Sequence, residues 1–496
     1  MRKSAPDALT GRPGSGRPAL NLLLAFLAVA VSYLLFSVVN KPQTSSIHVF
    51  MYLGILACGM MALRAGPSAE KLIPLIIAAG IVMRIGYMLY TPYYVRAHDV
   101  ATLKDAGHFS YLYNLFKYGM LPQTNDYQYY HPPLQHIAQA AVVRLFSFLQ
   151  PEADTGKLMD AAKVVPCFAS CAVLIVSSRI CQAVNMPKAA AAAALAVVAF
   201  HPTFFILSAS INNDSLMLLF FMASILFTIR WYYRPTMANV VLVAASIGLS
   251  MMTKLSGGVA LVFSGAVFLI KLVESVRKKE RFHPVRKLSV FAAVLLPLAF
   301  WYPIRNYILF RQPLNFVLRF EESSPFFLGD RPFIERFLFF PAERLYLPTY
   351  CMPAEDSNIW LYVVKCSVFG EFKFEQLPEL AHLLTTANLV LILLSLASMV
   401  YVMIRGRDVN PFARFGLFGI WLAQMASFLL FNVQFPFGCT MDFRYIVPTA
   451  ITGAIYLGIA LDMLKRSGKP VPRLLFGAGV AAIALFAAAS VLFYVT

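Results

Sequence analysis

Charge is scarce in this 496-residue chain: 13% of its residues are Asp, Glu, Lys or Arg, while 59% are hydrophobic and the mean hydropathy is +0.67. No compact soluble shape hides that much apolar surface, so a soluble globule is excluded and an integral membrane protein is expected. Acids are scarcer still, 24 against 42 bases. An excess of +18 would suit nucleic acid, yet no DNA- or RNA-binding module appears, and in a membrane protein such an excess is first a topology signal. The seven cysteines form no CxxC pair and no finger-like spacing, and most sit in apolar runs. Neither a disulfide framework nor a zinc site is expected from them. Internal repeats are lacking too, and the alanine-rich stretch 189–198 reads as close helix packing.

Long apolar runs are what the chain has in abundance. Windows of about 18 to 22 residues place spans near 20–39, 48–64, 72–91, 162–181, 189–208, 214–231, 237–253, 256–272, 288–304, 383–404, 414–432, 445–464 and 473–494. The expected fold is therefore all-α and polytopic, with about thirteen transmembrane helices. With the N terminus in the cytoplasm, the inner loops hold 24 of the 42 bases against six acids, and the outer face is nearly neutral. That asymmetry is what the positive-inside rule requires. Residues 1–19 read as a retained, poorly ordered basic tail without a cleavage site. Residues 20–496 read as a single transmembrane domain in a cell membrane, with long outer segments at 92–161 and 305–382. Within the first, LQHIAQAAVVRLFSFLQ (134–150) reads as an amphipathic helix on the outer surface, started by Pro132 and Pro133.

Against this apolar background one interval stands out. Four of the eight histidines (His98, His108, His131 and His136) fall between 98 and 136, beside Asp99, Asp105 and Asp126. Asp105, His108 and Leu112 share a helical face, with Gly119 and Pro122 as the stop. Each polar residue also has a plain structural reading. Asp99 could be solvated or cap a helix, and Asn213 or Asp214 in INNDSLMLLF could be an N-cap. Lys254 could snorkel to headgroups, Arg305 could anchor at the interface, and Arg444 has Asp442 beside it for a local ion pair. His131, between Tyr130 and two prolines, could belong to a rigid turn. Arg84 lies deep within a span and calls for a function or a partner.

Taken in order, these pieces resemble a family. An acid opening the first large outer segment (RAHDV), a GHFSY helix, a YGMLP turn, YYHPPL, an Asn-Asp pair two spans later and RYIVP near the C terminus look like the GT-C membrane glycosyltransferases. Within these the chain looks most like the bacterial protein-mannosyltransferase-like and aminoarabinose-transferase-like branch, over roughly residues 72–450. The resemblance implies transfer of a sugar from a polyprenyl-phosphate carrier to an acceptor on the outer face, with inversion and a carboxylate general base. It places that base at Asp99, with Asp105 as runner-up, because the family often shows an Asp-Glu pair where this chain has HDV. It implies phosphate or substrate contacts among His131, Asp214, Lys254, Arg305 and Arg444. No cofactor is specified; His98 beside Asp99 and the His131/His136 spacing also read as ligands for a divalent metal. The expected partners are the lipid-linked donor, membrane lipids and an acceptor that is a protein, a lipid or a polymer. Two other readings stay open: a lipid or sugar transporter or flippase, and a non-catalytic scaffold in cell-envelope polymer assembly.

Overall fold

The structure, a computed structural model, describes residues 18–38, 44–66, 68–100, 107–279 and 283–495. Three helices come first: α1 (Pro18–Val38), α2 (Thr44–Ala65) and α3 (Ala69–Tyr90). The segment 92–161 carries α4 (His108–Tyr118), α5 (Leu134–Leu149) and α6 (Thr155–Ala161). Then follow α7 (Val164–Ala183), α8 (Lys188–Phe200), α9 (Pro202–Ser208), α10 (Asp214–Tyr233), α11 (Met237–Thr253), α12 (Ala260–Arg277) and α13 (Pro284–Phe310). The second long segment holds α14 (Phe333–Phe337) and α15 (Ile359–Phe369), before α16 (Pro378–Arg405), α17 (Leu417–Gln434), α18 (Pro448–Ser467) and α19 (Pro470–Val495). Among the described residues the only strand-like pairing is an isolated bridge between Phe327 and Phe437.

Each of the thirteen apolar windows is helical, and the expected number of spans changes on two counts. Ten helices are long and apolar enough to cross a membrane, or twelve when each of two bent pairs is one span. The bent pairs are α8 with α9, and the 438–446 segment with α18. The thirteenth window is α11, whose 17 residues reach roughly 25 Å at 1.5 Å per residue, less than the thickness of a hydrocarbon core.

The chain groups into two compact units. The first takes in the described residues of Met1–Lys41, Pro92–Asn185 and Leu207–Val317; the second takes in those of Pro42–Thr91, Met186–Ile206 and Leu318–Thr496.

In the first unit, α11 packs on α10 and α13, and α10 on α7. The segment 92–161 closes over a buried cluster that includes Val100, Tyr111, Leu112, Tyr129, Val143 and Tyr302. Helix α4 begins at His108, where the Asp99 carbonyl accepts from the His108 N–H and the Val100 carbonyl from Phe109, each at 3.0 Å. A Cβ on Gly107 would lie 2.5 Å from the Val100 carbonyl oxygen, so only glycine lets these strands of backbone meet. The expected stop is there: Gly119 sits in the left-handed region (φ 67) and closes the helix on the Leu115 carbonyl. Asp105, expected on the same face, lies outside the described residues.

Helix α5 starts after Pro133 as expected, with an inverted distribution of polarity. Gln135, His136 and Gln139 are fully buried, while Leu145 and Phe148 are 60% and 80% exposed. Apolar side chains facing outward and polar ones facing inward suit a helix bathed in lipid rather than water.

In the second unit, the break between α8 and α9 bends the chain by 49°. Pro202 has no N–H, so the Val198 carbonyl loses its helical donor. Arg84 supplies the replacement: Nη2 donates to Val198 O at 3.0 Å, and Nη1 to Ala199 O at 2.9 Å and Gly80 O at 2.8 Å. The guanidinium also lies over Phe204 and Phe205. The charge flagged in mid-span thus has a partner, the backbone of a broken helix. Close packing of the alanine-rich α8 holds as well, since a Cβ on Gly458 of α18 would come within 2.3 Å of the Ala190 carbonyl oxygen.

Candidate active site

The segment 92–161 of the first unit concentrates backbone strain and polar side chains in one place. Of the seven non-glycine residues with positive φ among the described residues, Arg96 (φ 50), Asp99 (φ 56) and Gln128 (φ 64) fall here. Such conformations persist only where the surroundings over-determine them, and they gather at functional sites. Asp99 is held from two sides. Its carbonyl caps α4, and its Oδ1 accepts from the Tyr127 hydroxyl at 2.7 Å. The residue is half-buried, so its carboxylate remains within reach of a ligand.

The histidines form a layer behind it. His108 Nδ1 and His136 Nε2 share a hydrogen bond of 2.9 Å, and His108 stacks on His131 with ring centroids 5.9 Å apart. His136 lies flat on Tyr111, 4.2 Å between centroids and 7° between planes. A relay of hydroxyls locks this layer to α13: the single Tyr111 O–H is shared between the His131 carbonyl (3.1 Å) and the Tyr302 oxygen (2.9 Å), and Tyr302 donates to the Tyr129 carbonyl (2.6 Å). His131 itself differs from its neighbours. It is only half-buried, and its ring nitrogens make no hydrogen bond among the described residues. Burial, then the nearby Lys254 and His108 charges, push its pKa well below the ordinary imidazole value, against the opposing pull of Asp99. A neutral ring with one N–H donor and one lone pair results.

Asp214 and Lys254 belong together. Lys254 caps the C terminus of α11, and its Nζ lies 2.5 Å from Asp214 Oδ1 at the start of α10. Asn212 donates to Asp214 Oδ2 at 2.8 Å, and Asn213 donates to the Thr253 carbonyl at 3.1 Å. Both charged residues are buried, 2% and 8% exposed, so Lys254 does not snorkel and Asp214 is more than a cap. Arg305, on the last turns of α13, donates to the Pro122 carbonyl at 2.7 Å and to Asn306 Oδ1 at 3.0 Å, tying the YGMLP turn to the helix. In the second unit, Arg444 pairs locally with Asp442 (Nε to Oδ2, 3.4 Å), and Asp442 Oδ1 accepts the Arg444 backbone N–H at 3.0 Å.

The structure thus brings Asp99, His131, Asp214, Lys254 and Arg305 into one unit, together with residues that no sequence argument singled out. Tyr127, Tyr111 and Tyr302 orient the set; Tyr111 closes the GHFSY motif, and the hint of the other two was the density of tyrosines in YQYYHPP and WYPIRNY. The arrangement offers one oriented carboxylate, one neutral imidazole open on one side, and one ammonium held by a buried acid.

Residues 131–301 match the family model described as dolichyl-phosphate-mannose-protein mannosyltransferase, a stretch that includes His131, Asp214 and Lys254. Among solved structures, the chain is similar to the crystal structure of ArnT from Cupriavidus metallidurans bound to undecaprenyl phosphate, at 13% identity and a TM-score of 0.40, covering 86% of this chain and 76% of that one. It is similar also to the same protein in the apo state, at 13% identity and a TM-score of 0.35, covering 80% of each. No curated protein matches by sequence. The motif resemblance and the family model point to one class, so that over 131–301 this polytopic membrane protein is similar to the mannosyltransferases of the GT-C membrane glycosyltransferases.

Proposed function

We propose that the chain transfers a sugar from a polyprenyl-phosphate carrier to an acceptor hydroxyl at the outer face of the membrane, with inversion at the anomeric carbon. The observation that carries this reading is Asp99, a half-exposed carboxylate oriented by Tyr127 on a strained backbone, in the same unit as the His131 and Lys254 pair of donors. Asp99 takes the proton of the acceptor hydroxyl as its oxygen attacks the anomeric carbon. The bond from that carbon to the carrier phosphate breaks, the phosphate leaves with the electron pair, and the proton remains on the carboxyl group.

Lys254 and His131 meet the phosphate charge as it develops. Asp214 keeps the Lys254 ammonium in place, a preorganised donor being worth more than a mobile one. Arg305 is the second cationic contact, its guanidinium fixed by the Pro122 carbonyl. Asp105 remains the alternative base.

Mass spectrometry of the purified protein tests the reading. A co-purifying polyprenyl-phosphate sugar, lost on Lys254→Met, is the expected result. A protein that carries only bulk phospholipid, and that transfers no sugar from added carrier-linked donor, overturns it.

A further inference from the structure

In the second unit, two thiols fifteen positions apart in the chain meet. Cys351 lies in the loop before α15 and Cys366 on α15 itself; they are 3% and 2% exposed, and Cys351 Sγ sits on the Tyr362 carbonyl, one helical turn before Cys366. Nothing in the proposed sugar transfer uses them.

Their meeting is fixed by the polar framework around them. Asn358 caps α15 by accepting from the N–H groups of Trp360 (3.1 Å) and Leu361 (3.0 Å). Lys365, fully buried on the same helix, donates to the carbonyls of Arg344 (2.7 Å) and Pro348 (2.6 Å), and so draws the loop against α15 just before Cys351. Arg344 in turn pairs with Asp356 at 3.1 Å, closing the loop from its other end. Cys351 Sγ then donates to the Tyr362 carbonyl at 3.6 Å, and Cys366 Sγ accepts the Phe443 N–H at 3.1 Å. Both cysteines fall in 305–382, the segment that the charge distribution assigns to the outer side, where a disulfide persists.

We propose that Cys351 and Cys366 are an oxidative cross-linking site, joined as a disulfide in the mature protein on the outer face of the membrane. The oxidant is the disulfide of an oxidised dithiol protein of that compartment. The thiolate of one cysteine attacks it, breaking its S–S bond and forming a mixed disulfide; the second thiolate attacks the chain's own sulfur in that bond and expels the partner as a dithiol. The chain loses two hydrogens and the partner gains them, so protons and electrons balance. Burial pushes both thiols up in pKa and makes thiolate scarce once the segment has packed, which sets the exchange during folding, before α15 closes over the pair. The sulfur of Cys366 keeps the Phe443 N–H, so the cross-link also ties the loop to the Asp442–Arg444 turn.

The test is thiol trapping of the full-length protein in membranes from cells with an oxidising outer compartment. Samples are quenched in acid, denatured with excess maleimide and digested without reductant. The expected product is one peptide pair linked through 351 and 366, with neither residue alkylated until dithiothreitol is added. Cys351→Ser should make Cys366 alkylatable without reductant. Two free, alkylated thiols in the unreduced parent overturn the proposal, and so does a bond from either cysteine to Cys439. If the variant fails to accumulate, the parent sample alone decides between these outcomes.

Discussion

Arg84 and His131 were flagged by the same logic, an ionisable side chain where an apolar chain should have none, and the structure gives them opposite uses. The Arg84 guanidinium is committed to three backbone carbonyls and two phenylalanine rings; Val198 and Ala199 stand at the break that Pro202 makes between α8 and α9, and Gly80 is one turn back on its own helix. The His131 ring is framed by aromatic and charged neighbours and yet makes no hydrogen bond among the described residues. A charge held for the fold and a group held for a ligand therefore differ in how their polar atoms are occupied rather than in hydropathy or depth. The proposed roles of Asp99 and Lys254 stand or fall on the same distinction.

The largest effect expected is at Asp99. Asn keeps the shape and tolerates the left-handed backbone at φ 56, so Asp99→Asn should fold as the parent does. Its initial rate of sugar transfer at saturating donor should fall by about 10²–10⁴, the usual contribution of a general base. A parental rate, with Asp105→Asn inactive instead, would move the base to the other acid; parental rates in both would remove the enzyme reading in favour of the scaffold.

Arg84 should behave in the reverse way. Arg84→Ala leaves the carbonyls of Val198 and Ala199 without their side-chain donor, and a hydrogen bond to a charged group contributes about 1.5–3 kcal/mol. The thermal midpoint and the yield of folded protein should drop, and whatever folds should transfer sugar at the parental kcat. Arg84→Lys should recover only part of the loss, since one ammonium cannot reproduce the planar fork across three carbonyls. An Arg84→Ala protein of parental stability and low kcat would break the comparison outright.

How much of this was legible depends on whether the partner of each residue is near in sequence. The helices were, because apolar length is a local property, and so were the Gly119 stop and the start of α5 after its prolines. Arg444 was legible with its neighbour Asp442, two positions away. Asp214 and Lys254 were each singled out but not joined, since forty residues separate them and only the packing of α10 on α11 brings them together. The partner of Arg84 carried no side-chain signal, being a pair of carbonyls more than a hundred residues on; Pro202 in AFHPTFF was the available clue. For α5, the sequence gives an amphipathic pattern without saying which face meets lipid, and its buried polar side shows only in the fold.

A smaller effect separates donor capture from the proton step. His131→Ala should raise the KM for the lipid-linked donor roughly 10-fold, the equivalent of one hydrogen bond to a charged group, with little change in kcat and none in thermal midpoint. Lys254→Met should do more, because it also leaves Asp214 buried without its counter-charge. Should His131→Ala lower kcat and leave KM untouched, the imidazole belongs to the proton step and the two roles must be exchanged.

The smallest effect is in the pH dependence of stability, and its sign follows from the direction of the His131 shift. Burial and the Lys254 and His108 charges hold the folded-state pKa well below the unfolded value of about 6.5. As pH falls through that unfolded value the unfolded chain takes up a proton that the folded chain refuses, so stability declines from there downward and levels off only beneath the folded pKa. His136, shifted the same way by burial and by His108, adds to the same slope. His131→Gln should therefore lose less of its thermal midpoint than the parent between pH 7 and pH 5, while the two coincide above pH 7. Added donor should reduce the parent's acid sensitivity, because a phosphate against the ring favours the protonated form and narrows the gap between the two states. An acid slope that His131→Gln leaves unchanged would assign the decline to His136 and the carboxylates. A parent slope that donor leaves unchanged would separate His131 from the phosphate.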